Sequence, residues 1–310
     1  MSVAFFCILQ YNLLMKVCTL CPRNCAVDRN KSVGFCKVGQ LKISRVGIHH
    51  FEEPCISGDK GSGTIFFAGC NMRCCFCQNN CIANEANGVE ISLETLEKIF
   101  LDVDQSCVHN LNLVSPSQYS DQIATVLAKI KHKLTKPVVY NTNSYESIQS
   151  LQKLDGLVDV YLPDLKYFDD HLAIKFSQTP NYFQVATKAI EEMRRQQPQQ
   201  VFEAGLLKKG VLVRHLVLPD CVEDSKKVLD YLSKTPDIWV SLMAQYFPPA
   251  TMPFEQLNKR VSKRQYDQVC DYFFAVGLKN GFSQSPTSAI KDFVPDFDQN
   301  LIKEYLTKLQ

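Results

Sequence analysis

The stretch TIFFAGCNMRCCFCQN, Thr64–Asn79, joins an apolar run to a loop crowded with cysteine. Thr64–Ala68 carries the β-branched and aromatic residues of a buried strand. Directly after it, Cys70, Cys74 and Cys77 stand in CxxxCxxC spacing. A short loop of this kind lets several thiolates converge on one inorganic core while backbone N–H groups turn toward the core's sulfides. Three thiolates suffice for three irons, so a cubane would keep one iron open to a bidentate small molecule such as an α-amino acid group. A structural zinc site commonly takes four ligands in two pairs, which three cysteines in one loop fit poorly. Cys75 and Cys81 read as non-ligands.

Outward from this loop, apolar runs read as buried strands at Leu111–Val114, Val138–Tyr140, Val158–Leu162, Val211–Leu218 and Ile238–Met243. Helix-period stretches fall between them at Leu93–Val103, Asp121–Leu134, Tyr145–Lys153, Tyr182–Gln196 and Ser225–Leu232. Such alternation implies right-handed parallel crossovers. The expected fold is therefore α/β, a partial (β/α)6 TIM-like barrel over residues 60–310, with a small cysteine-rich extension over residues 1–59. A helix at Lys263–Val276, a turn at Gly281 and an amphipathic helix at Leu301–Leu309 follow the last strand. Val3–Met15 reads as a first packed element, and the Gln-rich run Arg194–Gln200 as a solvated turn.

The chain has 310 residues, 45% apolar and 21% charged, which excludes a disordered protein. Lys plus Arg is 34 and Asp plus Glu 32, so the net charge of +2 supplies no grip on a phosphate backbone, and no nucleic-acid partner is indicated. Fourteen cysteines in a chain this large do not read as a disulfide scaffold, which suits small secreted domains. No run approaches the ~18 apolar residues of a membrane span, and a reducing cytoplasm is expected. There, clustered thiols mean metal. A second group, Cys18, Cys21, Cys25 and Cys36, has Pro22, Gly34 and Gly39 to supply the turns between them. Four thiols of this kind form a closed site for zinc or a second iron–sulfur cluster, the alternative being reduced cysteines packed together.

Active sites of parallel barrels form at the C-terminal strand ends. Asn141 closes the third strand; Asp164 and Lys166 follow the fourth on one face by period two; Arg214 and His215 on the fifth face opposite ways, with Arg214 toward the lumen. Gln245 is a weaker candidate after the sixth. Glu52 and Glu53 read as part of a structural turn, and His49 and His50, adjacent in a strand, cannot both serve one site.

The triplet, with Phe76 immediately before its third cysteine, resembles the signature of the radical S-adenosylmethionine superfamily. The run His49–Asn79 resembles the pyruvate formate-lyase activating-enzyme-like branch that carries an extra N-terminal cysteine segment. The resemblance implies a [4Fe-4S] cluster on Cys70, Cys74 and Cys77 whose open iron chelates S-adenosylmethionine. It implies a 5′-deoxyadenosyl radical that takes hydrogen from a protein or peptide, as in glycyl-radical enzyme activation, and an electron donor such as flavodoxin or ferredoxin. A small-molecule or RNA substrate, or a non-catalytic metal protein, are the alternatives. By the same resemblance Phe76, Ser115, Ser117, Asn141, Asn143, Asp164 and Lys166 would bind cofactor, and Arg214, the lumen residue of the fifth strand, is expected beside them. The family's Gly-Gly-Glu after the second strand is replaced by LVSPSQYS, Leu113–Ser120, where Ser115, Ser117 and Gln118 offer acceptors to an ammonium. In the family's acid-Thr-Asn, Asn141 replaces the acid.

Overall fold

The computed structural model describes residues 17–235, 237–284 and 295–309; the run Val3–Met15 lies outside them. Its sheet consists of β1 (Lys42–His49), β2 (Ser62–Phe67), β3 (Val89–Glu90), β4 (Leu111–Val114), β5 (Val138–Thr142), β6 (Val160–Pro163), β7 (Val201–Glu203), β8 (Leu206–Leu216), β9 (Trp239–Met243) and β10 (Asn280–Ser283). The order is β10-β9-β8-β6-β5-β4-β2-β1-β3, with β7 paired to β8. From β2 to β10 each neighbouring pair along this path is parallel. Every residue of β2, β4, β5 and β6 is buried, as in strands covered on both faces. Among the described residues the edge strands β10 and β3 do not pair, so the barrel is partial.

The intervening helices bury one face and are fixed by local caps. Ser92 accepts from the Thr95 amide to start Leu93–Gln105, and Ser262 forms a reciprocal capping box with Gln265 to start Lys263–Ala275. Among the described residues no helix is long and apolar enough to cross a membrane.

Several expectations shift. β1, expected within the extension 1–59, pairs antiparallel with β2 from Ile43 opposite Phe67 to His49 opposite Ser62. β8 begins at Leu206 because Ala204 and Gly205, both at positive φ, close a two-residue hairpin with β7. Gly281 lies in β10, not in a turn. A Cβ there would stand 2.0 Å from the Val240 carbonyl oxygen, so the glycine permits close strand approach. The Gln-rich run is not merely solvated, since Gln197 donates to the Val158 carbonyl at 2.7 Å and Gln200 to that of Val211 at 2.6 Å.

His215 faces the helices, its ring bonded to the Leu165 carbonyl (2.7 Å) and the Ser225 hydroxyl (2.9 Å). Burial, only partly offset by the Leu165 bond, depresses its pKa from 6.5 to about 4. Between those pH values the unfolded chain binds a proton that the folded chain refuses, so stability falls as pH drops, by about 3 kcal/mol in all. His215→Gln should flatten that part of the stability curve. Urea unfolding at both ends of the window checks this, and an unchanged slope in the variant would contradict it.

Candidate active site

One cavity of about 230 Å³ opens to solvent at the C-terminal ends of the parallel strands. Each strand contributes: Phe66 and Phe67 from β2, Val114 and Ser115 from β4, Asn141, Thr142 and Asn143 from β5, Asp164 and Lys166 after β6, Arg214 from β8, Gln245 after β9 and Gln284 after β10. Cys70, Cys74 and Cys77 line the same space.

The triplet loop is bent and pinned by its own backbone. Gly69 turns the chain out of β2 at φ +80, and a Cβ there would lie 2.4 Å from the Cys36 carbonyl oxygen, so only glycine fits. The amides of Arg73 and Cys75 bond to the carbonyls of Ser177 (2.9 Å) and Phe176 (2.8 Å), and the Cys77 amide bonds to the Cys74 carbonyl (3.1 Å). Phe76 does not line the cavity. It is buried, with Tyr246 edge-on at 5.8 Å, and thus holds the loop through the core.

The donor set fits an iron–sulfur cluster. Three soft thiols face one space, and donors already address two of the sulfurs: the Ser177 hydroxyl to Cys74 at 3.0 Å, the Met72 amide to Cys70 at 3.4 Å, and Asn143 Nδ2 to Cys70 at 3.5 Å. Burial pushes Cys70 up to about 11 and raises Cys74 and Cys77 as well. Such thiols ionise by binding metal. Among the described residues no three His, Cys, Asp or Glu side chains are grouped to hold a metal ion, whereas cluster ligands each take their own iron and need not meet at one point.

Beside the triplet lies a closed ion network. Asp164 sits 2.5 Å from Lys166 Nζ and 2.9 Å from the Arg214 guanidinium; Arg214 continues to Glu52 at 3.2 Å and to Asn141 Oδ1 at 2.6 Å; Asn141 Nδ2 returns to Glu52 at 3.1 Å. Burial alone would raise Asp164, but Arg214 and Lys166 hold it below its ordinary value. Asn141, Asp164, Lys166 and Arg214 thus stand where the strand-end argument placed them. The Glu52–Glu53 pair leads into the single helical turn Pro54–Ser57, and both side chains also line the cavity. His49 lines it too, with burial lowering its pKa, while His50 does not.

Ser115 lines the cavity at φ +55, a strained conformation for a residue with a side chain. Ser117 does not. It opens a tight turn whose geometry carries its hydroxyl beneath the cavity to Glu146 Oε1 at 2.5 Å, where Thr142 also donates at 2.5 Å. Gln118 likewise spends its amide on the carbonyls of Ala68, Gly69 and Ser115. Glu146, fully buried and missed in the sequence reading, ties the loop after β4 to that after β5; only the motif's missing carboxylate hinted at it.

The N-terminal thiols share one segment but, among the described residues, are not grouped to hold a metal ion. Cys21 lies within the electrostatic reach of Cys18 and Cys36, and Cys36 within that of Cys18 and Cys25; burial pushes Cys21 up to about 12. Their segment clamps the triplet loop. Arg23 donates to the Asn71 carbonyl at 2.7 Å and stacks at 3.7 Å over Phe35, which Arg73 covers from 4.3 Å while bonding to the Cys70 carbonyl.

The radical SAM superfamily matches residues 64–211. An uncharacterized protein of Methanocaldococcus jannaschii is 27% identical over 274 residues, 83% of this chain and 74% of that protein. Solved structures resemble the chain loosely. Methylornithine synthase (PylB) is 16% identical with TM-score 0.49 over 77% of both chains. SuiB of Streptococcus suis, crystallised with S-adenosylmethionine, is 14% identical with TM-score 0.48 over 74% of this chain, which spans about half of SuiB. A domain of a pyruvate-formate lyase-activating enzyme from Bacteroides vulgatus is 13% identical with TM-score 0.40, over 54% of this chain and 92% of that one. Likenesses at this level carry no weight for function. The triplet after β2 and the parallel sheet agree with the match of residues 64–211 to the radical SAM superfamily, whose domains work with a [4Fe-4S] cluster and S-adenosylmethionine.

Proposed function

We propose that this chain cleaves S-adenosylmethionine reductively and takes hydrogen from a protein or peptide, as glycyl-radical activating enzymes do. The supporting observation is the placement of Cys70, Cys74 and Cys77 on one wall of a cavity whose other wall is the Asp164–Lys166–Arg214–Glu52 network. When bound, the cluster and S-adenosylmethionine supply the electron and the 5′-deoxyadenosyl radical. The protein positions and shields. Cys70, Cys74 and Cys77 hold the irons; Ser115 and Asn143 offer polar atoms beside them to the methionine ammonium; Lys166, paired with Asp164, has further N–H donors for its carboxylate. Among the described residues β10 and β3 do not pair, and a polypeptide would enter between them. The described cysteines are free, which suits a reducing cytoplasm and a flavodoxin or ferredoxin as donor.

An anaerobic assay tests this with two deuterated extracts, one of protein and one of small molecules. Deuterium should enter 5′-deoxyadenosine from the protein fraction. Transfer from the small-molecule fraction alone would overturn the protein substrate.

We further propose that Cys18, Cys21, Cys25 and Cys36 hold a separate, coordinatively closed centre that fastens residues 18–39 to the triplet loop. Replacing Cys18 and Cys21 together by alanine should remove one zinc or about four irons while the triplet's cluster still forms. Metal analysis with absorption spectroscopy checks this. Unchanged metal content would show that these thiols bind nothing.

A further inference from the structure

We infer that Glu53 is the substrate-recognising carboxyl of the cavity, and that the substrate presents to it a cationic nitrogen, the ammonium or guanidinium of a lysine or arginine side chain. This deepens the peptide reading above and rests on it.

The inference follows from what the charges of the cavity already touch. Lys166 is matched by Asp164, and Arg214 by Asp164 and Glu52, so these two cations and two carboxylates form a complete set. Glu53 is the fifth member and stands outside it. It is 3% exposed, it lines the cavity, and its hydrogen bond is to a neutral group, the Ser241 hydroxyl of β9 at 2.8 Å. A buried carboxylate without a cation in contact is costly. Burial pushes Glu53 up to about 6, with Arg214 and the Ser241 bond opposing the rise and Glu52 and Asp164 adding to it. At neutral pH it is thus mostly ionised, and an entering cation would supply the missing counter-charge.

Lys42–His49 runs antiparallel to Ser62–Phe67, so His49 ends opposite Ser62 at the N-terminal end of the parallel strands. The segment after it enters the barrel from that end, with Cys55 and Ile56 packed on Val139, Val160 and Leu212, and both glutamates reach the cavity from within the sheet's concave side, not from a parallel strand. Glu52 is used to hold Arg214. Packing and the bond to Ser241 would be met equally by glutamine, which has the same volume, so neither of them requires the charge.

The test uses the reconstituted holoenzyme with S-adenosylmethionine and two capped tripeptides, Gly-Lys-Gly and its norleucine twin. The lysine peptide should bind about ten-fold or more tightly than the twin. In E53Q the two should bind alike, with S-adenosylmethionine affinity unchanged and a thermal midpoint equal to or above that of the wild type. Equal binding of the twins to the wild type overturns the inference. So does a loss of S-adenosylmethionine affinity in E53Q, which would assign the carboxyl to the cofactor. Cleavage of S-adenosylmethionine by the wild type without peptide is measured alongside; its absence would defeat the enzymatic reading separately, while the paired peptides still decide Glu53.

Discussion

Alanine at Cys70, Cys74 or Cys77 should bring cleavage of S-adenosylmethionine to background in each variant. The reason is geometric. The three thiols lie on one loop and one cavity wall, and a cluster held by three protein ligands loses an iron anchor with each substitution. No nearby thiol is placed to substitute. Cys75 and Cys81 flank the loop but do not line the cavity, so Cys81→Ala should keep full activity and serves as the control. Quantifying 5′-deoxyadenosine under reducing, anaerobic conditions reads both effects. Retained product in all three triplet variants would remove the cluster from the mechanism.

Arg214→Met should cost about 3–5 kcal/mol of folding stability, because it strips Asp164 and Glu52 of their shared cation in a place from which water is largely excluded. The side chains of all three are 10–13% exposed, so solvent screening rescues little of the loss. Asp164 would then keep only Lys166, and Glu52 only Asn141. Adding Asp164→Asn should recover part of the stability, as coupled partners are not additive. Urea denaturation of the two single variants and the double variant supplies the cycle. A loss near zero for Arg214→Met, or strict additivity, would show that the network is solvated.

The fold was legible where strands are buried on both faces. TIFFA, LNLV and the run from Val138 have no polar alternation and no rival helical period, and they became β2, β4 and β5. It was illegible where pairing partners are distant. β1 mixes exposed and buried residues because beyond Ile43 it pairs on one side only, and β10 hides behind a glycine that reads as a turn. The same divide runs through the site. Cys70, Cys74, Cys77, Asp164, Lys166 and Arg214 follow from motif spacing and strand period. Glu53 and Glu146 do not: one arrives from before the first parallel strand and the other is bonded from beneath, and neither placement leaves a periodic trace. Ser117, expected with Ser115 and Gln118 to offer an acceptor to an ammonium, bonds instead to Glu146, because the chain has already entered a tight turn there.

The central claim is that S-adenosylmethionine meets an open iron held beside Cys70, Cys74 and Cys77. Electron–nuclear double resonance on the reduced protein tests it most directly, using S-adenosylmethionine labelled at its amino nitrogen and carboxylate oxygen. The account predicts hyperfine coupling from both labels to the cluster, lost when any of the three cysteines is replaced. A cluster signal that ignores both labels would contradict it.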